Sequence, residues 1–252
     1  MTPHALRLAC RAGTFDGLTT GLCSGFLQAN LIVLPASLAA DFQLFCEANA
    51  QACPLLARGE PGDPSLPGLG VDIDVRTDLP RYEVTRLGGP AARRFHIRDL
   101  WRNDSVAFAI GCWFSAEAAL AAAGIRLRHV ELGIQGGLFR TARSTTPVGP
   151  FGGPLVVSMR PFAATDVAAV EAITAGRPEA HGAPVAIGHS DDLGIADLSR
   201  PDFGEVLLPL PGEVPVFWAC GLTASEAARR AAPDLLVTHA PGAMLVTDCP
   251  VP

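Results

Sequence analysis

Proline and glycine cut this chain into short pieces, so each apolar run has room for one strand or a few helical turns and no more. Leu31–Leu34 reads as a short buried strand halted by Pro35. Leu38, Phe42 and Phe45 then recur at helical spacing, and Pro35 suits a first helical turn. Val71, Ile73 and Val75 alternate with aspartates and Arg76, the pattern of a half-exposed strand. Val106–Ile110 predicts a strand, followed by a helix from Ser115 to about Ala123 with Gly124 as its stop. Leu155–Met159 predicts another, ending at Arg160, after which Thr165 caps a helix with Val167, Val170 and Ile173 on one face. Val214–Ala219, Leu235–Thr238 and Ala243–Val246 complete the strands. Strands interleaved with helices define an α/β chain. Two Gly/Pro-rich stretches, 58–70 and 146–153, suggest a smaller middle lobe, 71–150, set into a main lobe built from 1–70 and 151–252.

The charge pattern narrows the function. A net charge of −6 over 252 residues argues against nucleic acid or an anionic membrane as partner. No apolar run approaches the roughly 20 residues that span a bilayer, and residues 1–11 lack the continuous apolar segment of a secretory signal. A cytoplasmic location is expected. All 19 basic residues are arginine. Without lysine there is no Schiff base, no pyridoxal phosphate attachment and no P-loop, and no cofactor is called for. The seven cysteines include no C-x-x-C pair, which fits reduced, mostly buried thiols better than a disulfide framework or a zinc ribbon.

One segment resembles another within the chain. Residues 106–115 (VAFAIGCWFS) align without a gap on 214–223 (VPVFWACGLT), each a strand, a cysteine (Cys112, Cys220), two residues and a Ser or Thr cap. Each leads on to an apolar stretch with a histidine, His129 and His239, and Thr223 with Glu226 fits a capping box. Chance likeness of two ordinary strand-to-helix units competes with a duplicated unit; the latter predicts both cysteines just beyond a strand and two or three residues from a helix start.

Motifs spread from end to end carry a family resemblance: QAN at 28–30, DFQLFC at 41–46 with CPLL at 53–56, RTDLPRY at 76–82 and LWRND at 100–104. Further on come GPLVVSMRP at 153–161, HGAP at 181–184, GIAD at 194–197, RPD at 200–202, EVPVFWACG at 213–221 and THAPG at 238–242, closing on VTD at 246–248. Together they resemble the hydro-lyase family that includes D-glutamate cyclase. That resemblance implies a two-lobed fold, a three-layer part beside a smaller two-layer α+β part, and loss of water as D-glutamate closes to 5-oxo-D-proline. The chain departs from the family pattern at 135–142 (QGGLFRTA), where relatives typically read NVPMYRTN, and at Ala243, where a histidine is frequent.

Cyclising glutamate calls for a base to free the amine, positive charge or donors over the developing oxyanion, and an acid for the departing oxygen. Arginine binds carboxylates through its planar fork, so Arg140 and Arg160 are the expected anchors of a small dicarboxylate or amino acid, with Thr141 and Asn30 beside them. His239, at a strand end before a Pro-Gly turn, is the first choice for the base if its strand runs parallel to its neighbours; His181 is the second. Cys220, between a strand and a capped helix, would have a lowered pKa and could serve as nucleophile. Asp248 is a candidate acid or orienter of histidine. Salt bridges, turns and caps are the competing structural roles for all of these. Two other readings stay open: a non-catalytic carboxylate-binding protein, and a metal-dependent hydratase using Cys112, His129, Cys220 and His239. A homo-oligomer also stays open.

Overall fold

The apolar run around Leu31 is the middle of a ten-residue strand, β1, whose alternate side chains feed two separate cores. Ile32 and Leu34 pack with Phe42 and Phe45 on one face, and Ala29, Leu31 and Val33 with Tyr82 and Leu245 on the other. A strand buried on both faces reads as a continuous apolar run, which is why only its centre stands out in the sequence. The computed structural model describes residues 1–87 and 89–252. In chain order the elements are α1 (Pro3–Arg11), β1 (Phe26–Pro35), α2 (Ala36–Ala48), β2 (Leu55–Arg58), β3 (Tyr82–Arg86), β4 (Ala92–Arg94) and β5 (Ser105–Gly111). Then follow α3 (Glu117–Ala122), α4 (Arg128–Leu132), β6 (Leu138–Ser144), β7 (Pro154–Ala163), α5 (Val167–Ala175) and β8 (Ala186–Ile187). The last are β9 (Glu213–Ala219), α6 (Leu222–Arg230), β10 (Leu235–His239) and β11 (Leu245–Pro250).

These strands form a seven-stranded sheet, ordered β2-β5-β1-β10-β3-β4 with β11 also on β1, and a four-stranded sheet ordered β6-β7-β9-β8. Of the middle stretch, β3, β4 and β5 belong to the larger sheet and β6 to the smaller. The fold is α/β in its mixture of helices and sheets, but among the described residues every strand pairing is antiparallel. The reason lies in the crossovers. β1–α2–β2 and β7–α5–β8 are strand–helix–strand units whose two strands run the same way, and each is split by an antiparallel strand, β5 or β9, inserted between them.

The long strand and the inserted strand of the two units match in register. Asn30 pairs with Ile110 and Val33 with Ala107 in the first; Ser158 pairs with Trp218 and Pro161 with Pro215 in the second. β1 and β7 are both ten residues long, β5 and β9 both seven. Cys112 and Cys220 each follow the inserted strand directly and precede a helical turn. Three residues on, the hydroxyls do the same job: Ser115 Oγ accepts from the Gln28 amide of β1, and Thr223 Oγ1 from the Val156 amide of β7. They staple a strand to its neighbour and do not cap helices. The capping-box reading of Thr223 and Glu226 is thereby corrected: Gly221 is the cap of α6, and Glu226 binds Arg140 and Arg229. The histidines are not equivalent, since His129 sits on α4 and His239 ends β10.

Other local expectations shift for similar reasons. Residues 71–75 form turns, because the alternation of Ile73 and Val75 comes from two side chains dipping into the core without a strand partner. The helix after β7 is capped by Asp166, one residue beyond Thr165. Asp248 belongs to the scaffold: the fully buried Arg7 of α1 donates to both its oxygens (2.9 and 2.7 Å), to Val246 O and to Val71 O. That fork ties the first helix to the last strand. Asp248→Ala leaves a buried guanidinium short of its partner and should lower the unfolding free energy by about 2 kcal/mol, read from urea denaturation, while substrate turnover stays at the wild-type value.

Candidate active site

Between the two matched units lies a partly open cavity. Asn30 of β1 and its counterpart Ser158 of β7 both line it, as do Cys112 and Cys220, Trp113 and Gly221, and Phe114 and Leu222. Another part of the wall comes from the break between β10 and β11. Thr238 pairs with Ile32 and Leu245 with Ala29, so the six residues from His239 to Met244 stand opposite only Leu31 and Asn30. The surplus chain bulges out and puts His239, Pro241, Gly242 and Met244 against the cavity. His239 therefore reaches the site through an interrupted antiparallel strand, which corrects the expectation of a parallel strand's carboxyl end.

Five of the eight sequence candidates meet here: Asn30, Arg160, His181, Cys220 and His239. Three do not. Asp248 serves Arg7. Thr141 donates its hydroxyl to Leu155 O (2.8 Å) within the smaller sheet. Arg140 lies in an adjoining open groove, ion-paired with Glu226 (2.7 Å) and Asp202 (2.9 Å) and stacked on Phe203. Its neighbours on the strand point alternately in and out, so from β6 the pair Arg140–Thr141 cannot address one pocket.

Arg160 dominates the electrostatics. It is buried to 2% exposure, and none of the ion pairs among the described residues includes it. Nη1 donates to Met159 O (3.1 Å), Nε has no partner, and the guanidinium carbon sits 4.7 Å from the centre of the Trp113 ring. On another side Gly136, at φ +86°, would bring a Cβ within 3.3 Å of Nη1, so only glycine seats the fork there without pressure. Burial lowers the Arg160 pKa, opposed chiefly by Glu117, yet a guanidinium keeps its proton in proteins. The result is a fixed cation with an unsatisfied edge. Two further buried donors of the lining, Ser158 Oγ and Trp113 Nε1, also lack partners. Ser158 and Arg160 are two apart on β7 and share a face, a period-2 signal legible in the sequence although only the arginine was singled out.

The opposite character comes from acceptors. Asn30 donates both amide hydrogens to Ile110 O (3.2 Å) and Gly111 O (2.8 Å), leaving Oδ1 free; Gly221 lies so close to this side chain that any Cβ would collide with it. His239 Nδ1 faces Leu31 O (3.4 Å), an arrangement that protonates Nδ1 and leaves Nε2 as the acceptor, whereas His181 Nδ1 faces Gln51 O (2.9 Å) and the ring also bonds the Gly111 backbone, so both its sides are taken up by the main chain. Burial pushes both imidazoles down to about 4, so both are neutral near pH 7. Burial also raises the Cys220 thiol, outweighing the Leu222 amide and Arg160 that favour the thiolate, and it raises Cys112 as well. The expected low-pKa Cys220 is thus reversed: desolvation wins at this helix start. Among the described residues no three or more His, Cys, Asp or Glu are grouped to hold a metal ion, and His129 is taken up by Glu117 at 2.9 Å.

The comparisons agree with the resemblance read from the motifs. A family model described as D-glutamate cyclase matches residues 106–248. A Bordetella petrii protein with a provisional hydro-lyase name is 51% identical over 247 residues, covering 98% of this chain and 94% of that one. Proteins of Methylobacterium sp. and Rhizobium johnstonii, with names of the same kind, are 49% and 50% identical over 248 residues, each covering 98% of this chain and 92% of theirs.

The neutral histidines make stability depend on pH in a defined direction. In the unfolded chain each titrates near 6.5, in the folded protein near 4. Between those values the unfolded state binds protons that the native state refuses, so the contribution is whole above about pH 6.5 and is lost as pH falls toward 4. Each ring accounts for about 3 kcal/mol across that window, at about 1.4 kcal/mol per pKa unit. His239→Gln or His181→Gln should flatten the acid limb of urea stability between pH 6.5 and 4, and NMR titration should find neither ring protonated at pH 5.5.

Proposed function

The chain belongs to the D-glutamate cyclase family of hydro-lyases, and on that premise we propose that the cavity binds a small amino dicarboxylate and closes D-glutamate to 5-oxo-D-proline with loss of water. The observation that carries the reading is Arg160, a buried cation with no carboxylate of its own beside it. A buried unpaired charge is costly, and an anionic ligand removes the cost. The α-carboxylate lies on Arg160 with Ser158 Oγ as a second donor. The ammonium faces Asn30 Oδ1 and the Nε2 acceptor of His239.

In the reaction the amine nitrogen bonds to the γ-carboxyl carbon and a carbon–oxygen bond breaks. The ammonium gives up two protons in all, and both end on the departing oxygen, which leaves as water. His239 Nε2 carries them: it accepts from the nitrogen as the new bond forms and, as an imidazolium whose burial makes it a strong acid, donates to the oxygen. The same burial weakens it as a base, but a desolvated ammonium is also less able to keep its proton. A cytoplasmic site is part of the proposal. It is supported by seven unpaired cysteines and by the lack, among the described residues, of any helix long and apolar enough to cross a membrane.

Arg160→Met separates a ligand-binding arginine from a structural one. Replacing an unpaired buried cation by an apolar side chain should raise the unfolding free energy by about 1–4 kcal/mol while 5-oxoproline formation from D-glutamate falls by about 10²-fold or more. A loss of stability, or retained turnover, would mark Arg160 as a scaffold residue. His239→Gln should lower kcat by about 10²–10⁴-fold with KM nearly unchanged.

A further inference from the structure

Three residues, Gln135, Leu222 and Pro241, line both the cavity and the open groove beside it, so together they form the rim between the two. Gln135 is the one polar side chain of the three. It is 7% exposed and its backbone amide donates to Glu205 (3.0 Å), yet neither end of its carboxamide has a hydrogen-bond partner among the described residues. Side-chain amides buried to this degree are ordinarily bonded. The neighbouring backbone holds this one in place. Gly242, at φ +76°, faces it without a side chain; a Cβ there would fall 3.0 Å from Gln135 Oε1 and 2.6 Å from Leu18 Cδ2. Gly204, at φ +72°, closes in from another segment, where a Cβ would overlap Gly136 O and lie 3.9 Å from Gln135 Cδ. Gln135 thus stands one residue from Gly136, which abuts Arg160, and against the bulge that brings in His239.

The proposed reaction leaves one end of the substrate without a partner. Arg160 and Ser158 take the α-carboxylate, Asn30 and His239 the ammonium, and the γ-carboxyl group, whose oxygens gain charge as the ring closes, still needs a donor. The cavity lining holds no second cation. The other unbonded donors, Ser158 Oγ and Trp113 Nε1, belong to the side of Arg160, one on its face of β7 and one in the ring stacked on it. We propose that the Gln135 carboxamide binds the γ-carboxyl group, its Nε2 donating to the oxygen that the product keeps. The proposal rests on the reading of Arg160 as the α-carboxylate anchor. As the nitrogen bonds to the γ-carbon, electron density moves onto that oxygen. When the second oxygen leaves as water with the two protons that His239 carries, the density returns and the carbonyl re-forms. Gln135 steadies the charge between these moments and transfers no proton. A carboxamide suits the place because it donates without a charge of its own. A carboxylate there would pair with Arg160, and a second cation would compete for the α-carboxylate.

The test uses D-norvaline, which has the carbon chain of D-glutamate with a methyl group in place of the γ-carboxyl. On the whole protein it should compete with D-glutamate through Arg160, Asn30 and His239 alone. Gln135→Met has the same length without donor or acceptor; it should lower kcat for D-glutamate by about 10²–10³-fold and leave the D-norvaline inhibition constant within about threefold. Gln135→Asn keeps both groups but draws them back by one methylene, and should lose about tenfold or more in kcat with the same indifference to D-norvaline. Should the Met variant unfold more readily than the unaltered protein, the Asn variant decides by the same two measurements. An inhibition constant that rises as far as kcat falls would make Gln135 a wall of the cavity and overturn the inference, as would undiminished turnover, and either result leaves the proposed function standing. No turnover of D-glutamate by the unaltered protein, or no competition from D-norvaline, would overturn the Arg160 reading and this inference with it.

Discussion

Burying a guanidinium away from any carboxylate leaves much of its desolvation cost unrecovered, and the surroundings of Arg160 are arranged around that fact. Trp113 offers its ring face, Met159 a carbonyl, and Gly136 the absence of a side chain. Trp113 is itself held by Trp218 (5.2 Å between ring centres) and His129 (5.5 Å). The aromatic cluster fixes the plane of the fork without cancelling its charge, since a cation–π contact recovers only about 1–2 kcal/mol. A surface arginine could wait for a ligand at no cost, but its charge would be screened. Here the charge keeps its strength at the expense of stability in the empty protein, the exchange that functional sites commonly make.

The cavity exists where it does because two copies of one structural idea face each other. The split strand–helix–strand units have the same register down to the pairs Asn30–Ile110 and Ser158–Trp218. Their strand-to-helix junctions deliver a cysteine each to the same hollow. Symmetry supplies the walls, and departures from it supply the chemistry. Arg160 occupies the place that Ile32 takes on β1, one facing the cavity and the other the hydrophobic core. The break between β10 and β11 adds His239 to the half that has no arginine.

How much of this was legible in the sequence depends on what each residue's role leaves behind locally. The alignment of 106–115 on 214–223 reported the duplication, because strand, cysteine and hydroxyl are near neighbours in the chain. The matching of β1 with β7 was not legible: no residue identity is shared between Asn30 and Ser158 or between Ile32 and Arg160, and only the pairing register shows the equivalence. Arg160 and His239 stood out because each ends an apolar run, which is where a strand meets a site. Arg140 was chosen as an arginine fit for a carboxylate and Asp248 as part of a family motif, and neither ground reveals the partners, Glu226 and Arg7, that lie far off in the chain and hold them outside the cavity. The sense of the strands was not legible, for a similar reason. The order strand–helix–strand is in the sequence, but the antiparallel strand inserted between them comes from a distant segment.

The choice of acceptors completes the logic of the site. The amino acid proposed as substrate carries an ammonium as well as a carboxylate, and the simplest counter-group would be an aspartate or glutamate in the cavity. Such a side chain would sit within reach of Arg160 and, at interior permittivity, pair with it in the empty protein. The substrate would then have to break a buried ion pair before binding. Neutral acceptors avoid this. Asn30 Oδ1 and the His239 imidazole can face an ammonium without quenching the guanidinium, and burial keeps that imidazole neutral down to about pH 4. The acidic residue that most opposes the lowered pKa of Arg160 is Glu117, and its oxygens are committed to His129, Thr20 and the Gly21 amide. Replacing either cavity histidine with a carboxylate would therefore close the site electrostatically, even where the side chain fits.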